Sequence, residues 1–365
     1  MIRKTRTIIL LISIFSLALL AACGGKETSS GNKLKGTTGD SKGSEETIVL
    51  KYASTSPETH DIHVYGSNIF IDKVDELSNG RVKIEFYPNE QLGKGADMLN
   101  LANSGAVDMI MAAPSYLPGK LPLGNAFQLP GTLPDAEIGS NVVWDIIKDE
   151  NSAIHKTDYA NNGIRPLFAS VLPLYQILTT GKNPIASLED LKGLKLRSGG
   201  GVQDILVENL GAVPVAMETS EQYTALERGT LDGGIFNLPS LESNKTIEVL
   251  KYLTTNANVT SFVVSMAIGE KSWNKLSHDI QNILIEAGEA AAKSLAESAN
   301  ASNEKALQNA LDKGFKAWTL TPDELKKLNE LVAPTKDQWI SNMEKLGFDG
   351  QAAIDEINEA LKKYE

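Results

Sequence analysis

Residues 187–239 read SLEDLKGLKLRSGGGVQDILVENLGAVPVAMETSEQYTALERGTLDGGIFNLP, and this stretch decides the fold. Apolar and β-branched runs predict strands at 194–197, 212–216 and 231–236. Helical periodicity predicts helices at 203–210 and 219–228. Because strands and helices alternate and are separated by Gly, Pro, Asp or Ser turns, the stretch indicates an α/β fold with a mostly parallel sheet.

Arg197 ends the first of these strands and is followed by Ser198 and three glycines. Ligands of open α/β sheets bind beyond the carboxyl ends of the strands. A planar guanidinium placed there can hold a carboxylate through two parallel, charge-assisted hydrogen bonds. Arg197 is therefore the first candidate for ligand binding, and a surface ion pair is the alternative.

Composition excludes several classes of protein. The chain has 365 residues, a formal net charge of −11 and one cysteine. A single cysteine excludes an intramolecular disulfide and a Cys-based zinc site. The acidic charge and the lack of a basic cluster argue against nucleic acid as a partner and against broad docking on anionic lipid.

The N-terminal residues have the pattern of an export signal. A basic segment at 1–6 precedes an apolar run at 8–20, and Leu-Ala-Ala then leads into Cys23. This order predicts a lipoprotein signal peptide at 1–22 and a lipid on Cys23; an ordinary secretory signal is the alternative. Residues 23–46 are rich in Gly, Ser, Thr and Lys, which predicts a flexible tether.

The chain from residue 47 again alternates strands with helices. Strands are predicted at 47–53, 81–87 and 106–112, and helices at 59–77 and 96–103. Further along, 172–180 and 258–268 are apolar enough to be strands of a core. From 273 onward the apolar spacing is helical to the end of the chain.

Six short segments resemble the solute-binding proteins of TRAP (tripartite ATP-independent periplasmic) transporters. Each segment is weak evidence alone, but their joint order and spacing over 48–273 are specific. They are VDELSNGRV at 74–82, YPNEQLG at 87–93, SGAVDM at 104–109, LEDLKGLKLR at 188–197, LGAVPV at 210–215 and YTALERGTLDG at 223–233.

The resemblance implies a type II periplasmic-binding-protein fold: two α/β lobes, a ligand cleft between them, and C-terminal helices that brace both. The chain would cross between the lobes within 172–180 and return along 258–268. The implied parts are lobe I at 47–171 plus about 263–297, lobe II at 172–262 plus about 298–335, and C-terminal helices at 336–365.

The resemblance also implies site residues. Arg197 matches the arginine that pairs with the ligand carboxylate. A second arginine of many members is replaced by Gln176, so a second carboxylate on the ligand is less expected. Phe236 occupies the place of a common asparagine and Asn237 follows it, so either residue could line the pocket.

Other candidates come from strand ends and helix faces. Tyr223 could direct its hydroxyl into the cleft, or its ring could pack on the sheet. Hydroxyl-bearing residues follow the first and third predicted strands of lobe I: Ser54, Thr55, Ser56, Ser115 and Tyr116.

No cofactor or metal is expected. His60 and His63 could share a helix face, but a third nearby ligand is lacking. The chain also lacks a G-x-S-x-G elbow, a metalloprotease helix and a P-loop, which argues against an exported enzyme.

The sequence therefore predicts a receptor outside the cytoplasm, lipid-anchored and monomeric, that binds a small organic carboxylate and delivers it to a TRAP permease. A signalling protein as the partner is the alternative. One arginine favours monocarboxylates, including 2-oxo, aromatic and sugar acids, over dicarboxylates.

Overall fold

Residues 47–364 are described by a computed structural model, in which the strands form two separate mixed sheets. The predicted signal peptide, Cys23 and the predicted tether lie outside the described residues. The strands are β1 (Ile48–Ala53), β2 (Val82–Tyr87), β3 (Met109–Ala112), β4 (Ile164–Leu172), β5 (Gln176–Thr180), β6 (Lys195–Ser198), β7 (Val213–Ala216), β8 (Gly233–Phe236), β9 (Leu250–Thr254), β10 (Phe262–Gly269) and β11 (Lys316–Trp318). The helices are α1 (Asn68–Leu77), α2 (Met98–Ser104), α3 (Ala136–Lys148), α4 (Val202–Asn209), α5 (Gln222–Glu227), α6 (Ser240–Ser243), α7 (Glu270–Trp273), α8 (His278–Asp312), α9 (Pro322–Val332), α10 (Pro334–Lys345) and α11 (Gly350–Leu361).

The first sheet has the strand order β2-β1-β3-β10-β4. β1 pairs in parallel with β2 and β3, whereas β10 is antiparallel to both β3 and β4. Every residue of β3 and β10 is buried, as expected for central strands covered on both faces. We call this sheet and its helices the first lobe.

The second sheet has the order β11-β9-β5-β8-β6-β7. β6 is parallel to β7 and β8, and β5 is antiparallel to β8 and β9. The carboxyl ends of β6, β7 and β8 therefore meet at one edge of this sheet. We call this sheet and its helices the second lobe.

Two segments connect the lobes. The chain leaves β4 of the first lobe and enters β5 of the second through residues 173–175, and it returns from β9 to β10 through residues 255–261. The two segments lie side by side, because the amide of Tyr175 donates to Thr260 O at 2.8 Å and that of Val259 donates to Tyr175 O at 3.0 Å. This arrangement is a two-stranded hinge.

The C-terminal helices contact both lobes. α8 is 35 residues long and packs on α1, α3 and β4 of the first lobe, and Lys313 just beyond it pairs with Glu242 of the second lobe at 3.1 Å. α10 packs on α4, and α11 packs on α3. The helical region therefore braces both lobes.

Several predicted boundaries differ from the structure. The predicted strand at 172–180 is two strands, because Pro173 and Leu174 interrupt the ladder where the chain changes sheets. The predicted helix at 59–77 begins with a wider π-type turn at His63–Ser67 before α1. The predicted strand at 258–268 begins only at Phe262, because residues 255–261 form the hinge.

Within residues 47–364 no helix combines the length and the apolar character that crossing a membrane requires.

The bracing by α8 depends on a close approach at Gly288. A Cβ atom at this position would lie 1.9 Å from the carbonyl oxygen of Leu167 in β4. We expect Gly288→Ala to force the helix away from the sheet and to lower stability by about 1–3 kcal/mol or more. Thermal unfolding should shift down by several degrees, whereas Gly119→Ala, where a Cβ meets nothing within 4 Å, should leave it unchanged. Equal unfolding temperatures for the two variants would contradict this packing.

Candidate functional site

A narrow cavity lies between the lobes, beyond the carboxyl ends of the parallel strands. The space that the centre of a water molecule can reach inside it is about 20 Å³, so the lobes lie close together around it. Side chains from both lobes and from the hinge form its wall. The lining residues are Ser56, His60, Ile62, Met111, Tyr116, Leu172, Tyr175, Arg197, Thr219, Gln222, Phe236, Asn237, Ser240, Asn244, Phe262 and Val264.

Arg197 supplies the charge of the cavity. Its side chain is 2% exposed, and its Nε donates to the carbonyl oxygen of Met217 at 3.0 Å. Nη2 lies 3.4 Å from the hydroxyl oxygen of Tyr116, and the Gln222 amide oxygen, turned toward the guanidinium, accepts from Nε and Nη2 at 3.1 Å. These partners are neutral.

Within residues 47–364 no carboxylate forms an ion pair with Arg197. Removing a cation from water costs several kcal/mol unless an anion compensates it. The cavity is therefore suited to an organic anion whose charge lies against Arg197.

The glycines after Arg197 allow the lobes to approach closely. Gly200 has φ +93°, which favours glycine, and a Cβ there would lie 2.8 Å from the carbonyl oxygen of Ser115 in the first lobe. The amide of Gly199 donates to Gln203 Oε1 at 2.7 Å. The glycine run thus forms an interlobe contact, and none of its residues lines the cavity.

Aromatic rings form one wall of the cavity. The ring of Phe262 lies 5.4 Å from that of Tyr116 and 6.0 Å from that of Tyr175, with interplanar angles of 58° and 18°. Burial raises the pKa of Tyr175, so its hydroxyl stays protonated and is a hydrogen-bond donor. The hydroxyl groups of Tyr116 and Thr219 are 2.9 Å apart and link the lobes across the cavity. These rings can enclose a flat, apolar ligand body.

His60 is a neutral member of the lining. Its side chain is 4% exposed, and burial lowers its pKa to about 4. Nδ1 accepts a hydrogen bond from the amide of Ile62 at 3.2 Å, which places the ring proton on Nε2. At neutral pH His60 is therefore a donor without charge.

His60 and His63 do not form a metal pair. His63 hydrogen-bonds to the hydroxyls of Ser54 and Ser67 at 2.9 Å each, so both of its nitrogens have partners away from His60. Residues 47–364 contain no group of three or more potential metal ligands.

The structure brings five of the ten ligand-binding candidates to the cavity. These are Arg197, Asn237, Phe236, Ser56 and Tyr116. Asn237 and Phe236, which the sequence left as alternatives, both line it. The other five, Gln176, Tyr223, Ser54, Thr55 and Ser115, lie outside the lining.

Gln176 belongs to the hinge. Its Oε1 accepts from Thr254 Oγ1 at 2.9 Å and from the amide of Ala257 at 3.0 Å, and its Nε2 donates to Asn258 Oδ1 at 2.6 Å. All of these partners come from β9 and the return segment. The amide therefore holds β5 to β9 and the return segment.

The remaining four candidates have other surroundings. The Tyr223 hydroxyl lies at the surface, 3.3 Å from Glu248. Ser54 bonds to His63, and Ser115 donates to Gln128 Oε1 at 2.7 Å. Thr55 is buried next to them, and its hydroxyl has no hydrogen-bond partner among the described residues.

Sequence reasoning missed much of the lining. Thr219 and Gln222 follow the end of β7, so the strand-end rule that selected Ser56 could also have found them. Tyr175 and Phe262 flank the hinge, where no local pattern indicates a ligand contact. The sequence offers His60 only as a potential metal ligand, and no pattern around it indicates contact with an organic ligand.

A pair of carboxyl groups spans the lobes beside the cavity. Ser220 of the second lobe donates to Glu90 Oε2 of the first lobe at 2.6 Å. Burial, followed by a hydrogen bond and repulsion from Glu218, raises the pKa of Glu90 to about 7. Glu90 and Asn89 both have positive φ, 61° and 54°, so this turn holds two non-glycine residues in the left-handed region.

The partner carboxyl of this pair is Glu218. The amide of Gly95 donates to it at 2.9 Å and that of Ala96 at 3.3 Å. Although burial acts to raise it, these bonds and the one from Glu90 lower the pKa of Glu218. Lys94 is the cation on this side, and it pairs with Glu221 at 2.7 Å. Below pH 7 the two carboxyls therefore share one proton across the lobes.

The chain matches a known protein family, and several known proteins are similar to it. The profile of the family described as DctP, bacterial extracellular solute-binding protein family 7, matches residues 52–342. A solute-binding protein of Roseobacter denitrificans is 30% identical over 250 residues, which are 66% of this chain and 72% of the relative. The C4-dicarboxylate-binding periplasmic protein DctP of Rhodobacter capsulatus is 29% identical over 329 residues, covering 85% and 90% of the two chains.

A solved structure shows the same fold. It is a TRAP solute-binding protein from a marine metagenome, described as specific for aromatic acid ligands and co-crystallised with 3-hydroxybenzoate. It is 26% identical with a TM-score of 0.80, and the similarity covers 88% of this chain and 99% of that chain. The similarity confirms the predicted two-lobe, type II periplasmic-binding-protein fold.

The carboxyl pair predicts a pH dependence of cavity closure. Burial and Glu218 raise the pKa of Glu90 from 4.5 to about 7 with the lobes together, and we expect the pKa to fall back when the lobes separate, so that the closed form binds more protons. The affinity for an anion enclosed in the cavity should therefore fall about three- to tenfold as the pH rises from 6 to 8. Calorimetric titrations across this range measure the effect.

Glu90→Gln should flatten this pH profile, because an amide does not titrate. Glu208→Gln, which removes an exposed carboxyl on α4, should keep the wild-type slope. An equally steep profile in Glu90→Gln would show that another group controls closure.

Proposed function

Because the chain belongs to the DctP family of bacterial extracellular solute-binding proteins and is of the TRAP class, we propose that it captures a small organic monocarboxylate between its lobes. The family match confirms the predicted resemblance, and a solute-binding protein is not an enzyme. The ligand is taken up unchanged, and an aromatic or similarly flat body best suits the cavity.

One observation carries this proposal: the buried guanidinium of Arg197, with only neutral partners among the described residues. A ligand carboxylate would supply the missing negative charge and accept from the Nη atoms of the fork. Tyr116, Tyr175 and Thr219 offer hydroxyl groups nearby. The charge of the ligand would thereby be coupled to closure of the lobes.

A single carboxylate fits the cavity better than two. Arg197 is the only Lys or Arg among the lining residues, and His60 is neutral. The amide of Gln176 is already engaged at the hinge. A second carboxylate would be buried without a cation, which costs several kcal/mol.

The apolar part of the wall favours an aromatic acid. The rings of Tyr116, Tyr175 and Phe262 form a continuous cluster, and Phe236 adds a fourth ring to the lining. Rings of this kind stack or pack edge-on against a ligand ring. The similar solved structure described as specific for aromatic acids supports the same class.

The receptor would work by hinge closure and delivery. Both crossing segments, 173–175 and 255–261, would bend. Each lobe, with the bounds predicted from the sequence, would move as a rigid unit. The closed form would then be recognised by the membrane subunits of a TRAP permease. The binding protein would act outside the cytoplasm as a monomer.

We further propose that the chain is a lipoprotein. The basic residues, apolar run and Leu-Ala-Ala-Cys pattern support lipidation of Cys23, and 24–46 would then act as a tether. These residues lie outside the described part of the chain.

Replacement of Arg197 tests the proposed function. Wild-type protein should bind benzoate or a substituted benzoate, and Arg197→Ala should weaken this binding by roughly 30-fold to several thousand-fold, because a buried charged partner is lost at about 2–5 kcal/mol. Calorimetry measures both affinities, with Arg228→Ala as the control for loss of an exposed arginine in the same lobe.

Succinate should bind far more weakly than the aromatic acids. If Arg197→Ala bound the aromatic acids with unchanged affinity, Arg197 would not be the residue that binds the carboxylate. Binding of succinate alone, with no aromatic monocarboxylate bound, would overturn the proposed ligand class.

A further inference from the structure

The cavity has a second polar region, away from Arg197. Arg197 is paired with Gly234 in the sheet, and Asn237 lies three residues further along, roughly 10 Å at the rise of an extended chain. Asn237, Ser240 and Asn244 line the cavity there, and His60 adds to the lining from the first lobe. We call His60, Asn237 and Asn244 the neutral subsite.

Asn237 presents an unpaired donor. Its side chain is 2% exposed, and the hydroxyl of Ser240 lies 2.5 Å from its Oδ1. This contact fixes the amide oxygen and turns Nδ2 the other way. Nδ2 is buried and has no hydrogen-bond partner among the described residues. A buried amide hydrogen without a partner costs about 1–3 kcal/mol, so a ligand acceptor would relieve it.

His60 adds a second hydrogen-bond donor to the neutral subsite, and Asn244 adds an acceptor. His60 carries its proton on Nε2, because Nδ1 accepts from the backbone of Ile62. The Oδ1 of Asn244 is buried, and it has no partner among the described residues. The neutral subsite therefore offers donors on Asn237 Nδ2 and His60 Nε2 and an acceptor on Asn244 Oδ1, and none of these groups is charged at neutral pH.

A hydroxyl group is the complement of this set. It donates one hydrogen bond and accepts two, whereas a carbonyl or a halogen only accepts and an ammonium only donates. A carboxylate would leave a charge without a cation and would face the Asn244 oxygen. The pattern thus selects a neutral hydroxyl on the ligand.

We propose that the neutral subsite selects acids that carry a hydroxyl group on the part of the molecule remote from the carboxylate. This inference rests on the proposed function, since it assumes that the carboxylate lies at Arg197. His60, Asn237 and Asn244 are specificity-determining residues, and Arg197 supplies the common affinity.

Matched pairs of acids test the subsite. The probes are benzoate with its three monohydroxy isomers, and phenylacetate with its ring-hydroxylated isomers. Wild-type protein should bind at least one hydroxylated acid about 10- to 100-fold more tightly than the parent acid, corresponding to about 1.4–2.7 kcal/mol. Replacing that hydroxyl by fluorine, which cannot donate to Asn244, should lose most of the preference.

Variants then assign the preference to the subsite. Asn237→Ala and His60→Leu should each reduce the hydroxyl preference, which is the ratio of the affinities for the hydroxylated and the parent acid, at least fivefold. His60→Gln, which retains an N–H donor, should restore part of the preference. Ser243→Ala, a neighbour on α6 that is not part of the lining, is the matched control, and thermal unfolding verifies that each variant is folded.

The outcomes separate this inference from the proposed function. Equal binding of parent and hydroxylated acids, with strong dependence on Arg197, would overturn the neutral subsite alone. Loss of parent-acid affinity in parallel with hydroxyl-acid affinity would show a merely structural role for these residues. Binding of none of these acids would overturn the aromatic ligand class and the neutral subsite together.

Discussion

The positive charge of Arg197 has no carboxylate to neutralise it within residues 47–364, and it is buried between two lobes. Met217 and Gln222 hold the guanidinium from the second lobe, and Tyr116 approaches it from the first. Burial of a cation with neutral partners is unfavourable unless an anion joins it. The lobes therefore close around this charge most stably when a ligand carboxylate is present.

The hinge, the carboxyl pair and the C-terminal helices connect the two lobes around this charge. Hydrogen bonds between the paired crossing segments and those of the Gln176 amide hold the hinge together. The shared proton between Glu90 and Glu218 links the lobes on one side of the cavity, and the C-terminal helices brace both. The contacts between the lobes are individually weak, and a ligand carboxylate at Arg197 would add a stronger one, which suits a receptor that must also release its ligand.

The parts of the site that the sequence predicted are those governed by local rules. Arg197 lies near the end of β6, and Ser56 and Tyr116 follow β1 and β3, parallel strands whose carboxyl ends meet at a cleft. The family resemblance pointed to Gln176, which stands where many members have a second arginine, but the sequence does not say which partner its amide takes. It bonds to residues more than 75 positions away, around Thr254 and Asn258.

Other residues could not be found from local pattern. Tyr175 and Phe262 reach the cavity only because the hinge brings the two crossing segments together, which is a property of the whole fold. His60 resembles an ordinary buried histidine in the sequence, and its role emerges from the hydrogen bond that fixes its tautomer. By contrast, the family resemblance implied the two-lobe architecture, whereas the alternation of strands and helices indicated only an α/β fold and did not show that both sheets are mixed.

The central claim is that a bound carboxylate lies against Arg197 as an anion. ¹³C NMR of a carboxyl-labelled hydroxybenzoate, bound to the protein and titrated with acid, tests it most directly. We expect the bound carboxyl to remain ionised well below the pKa of about 4 that is ordinary for such a group. A bound carboxyl that takes up its proton at or above that ordinary pKa would contradict the account.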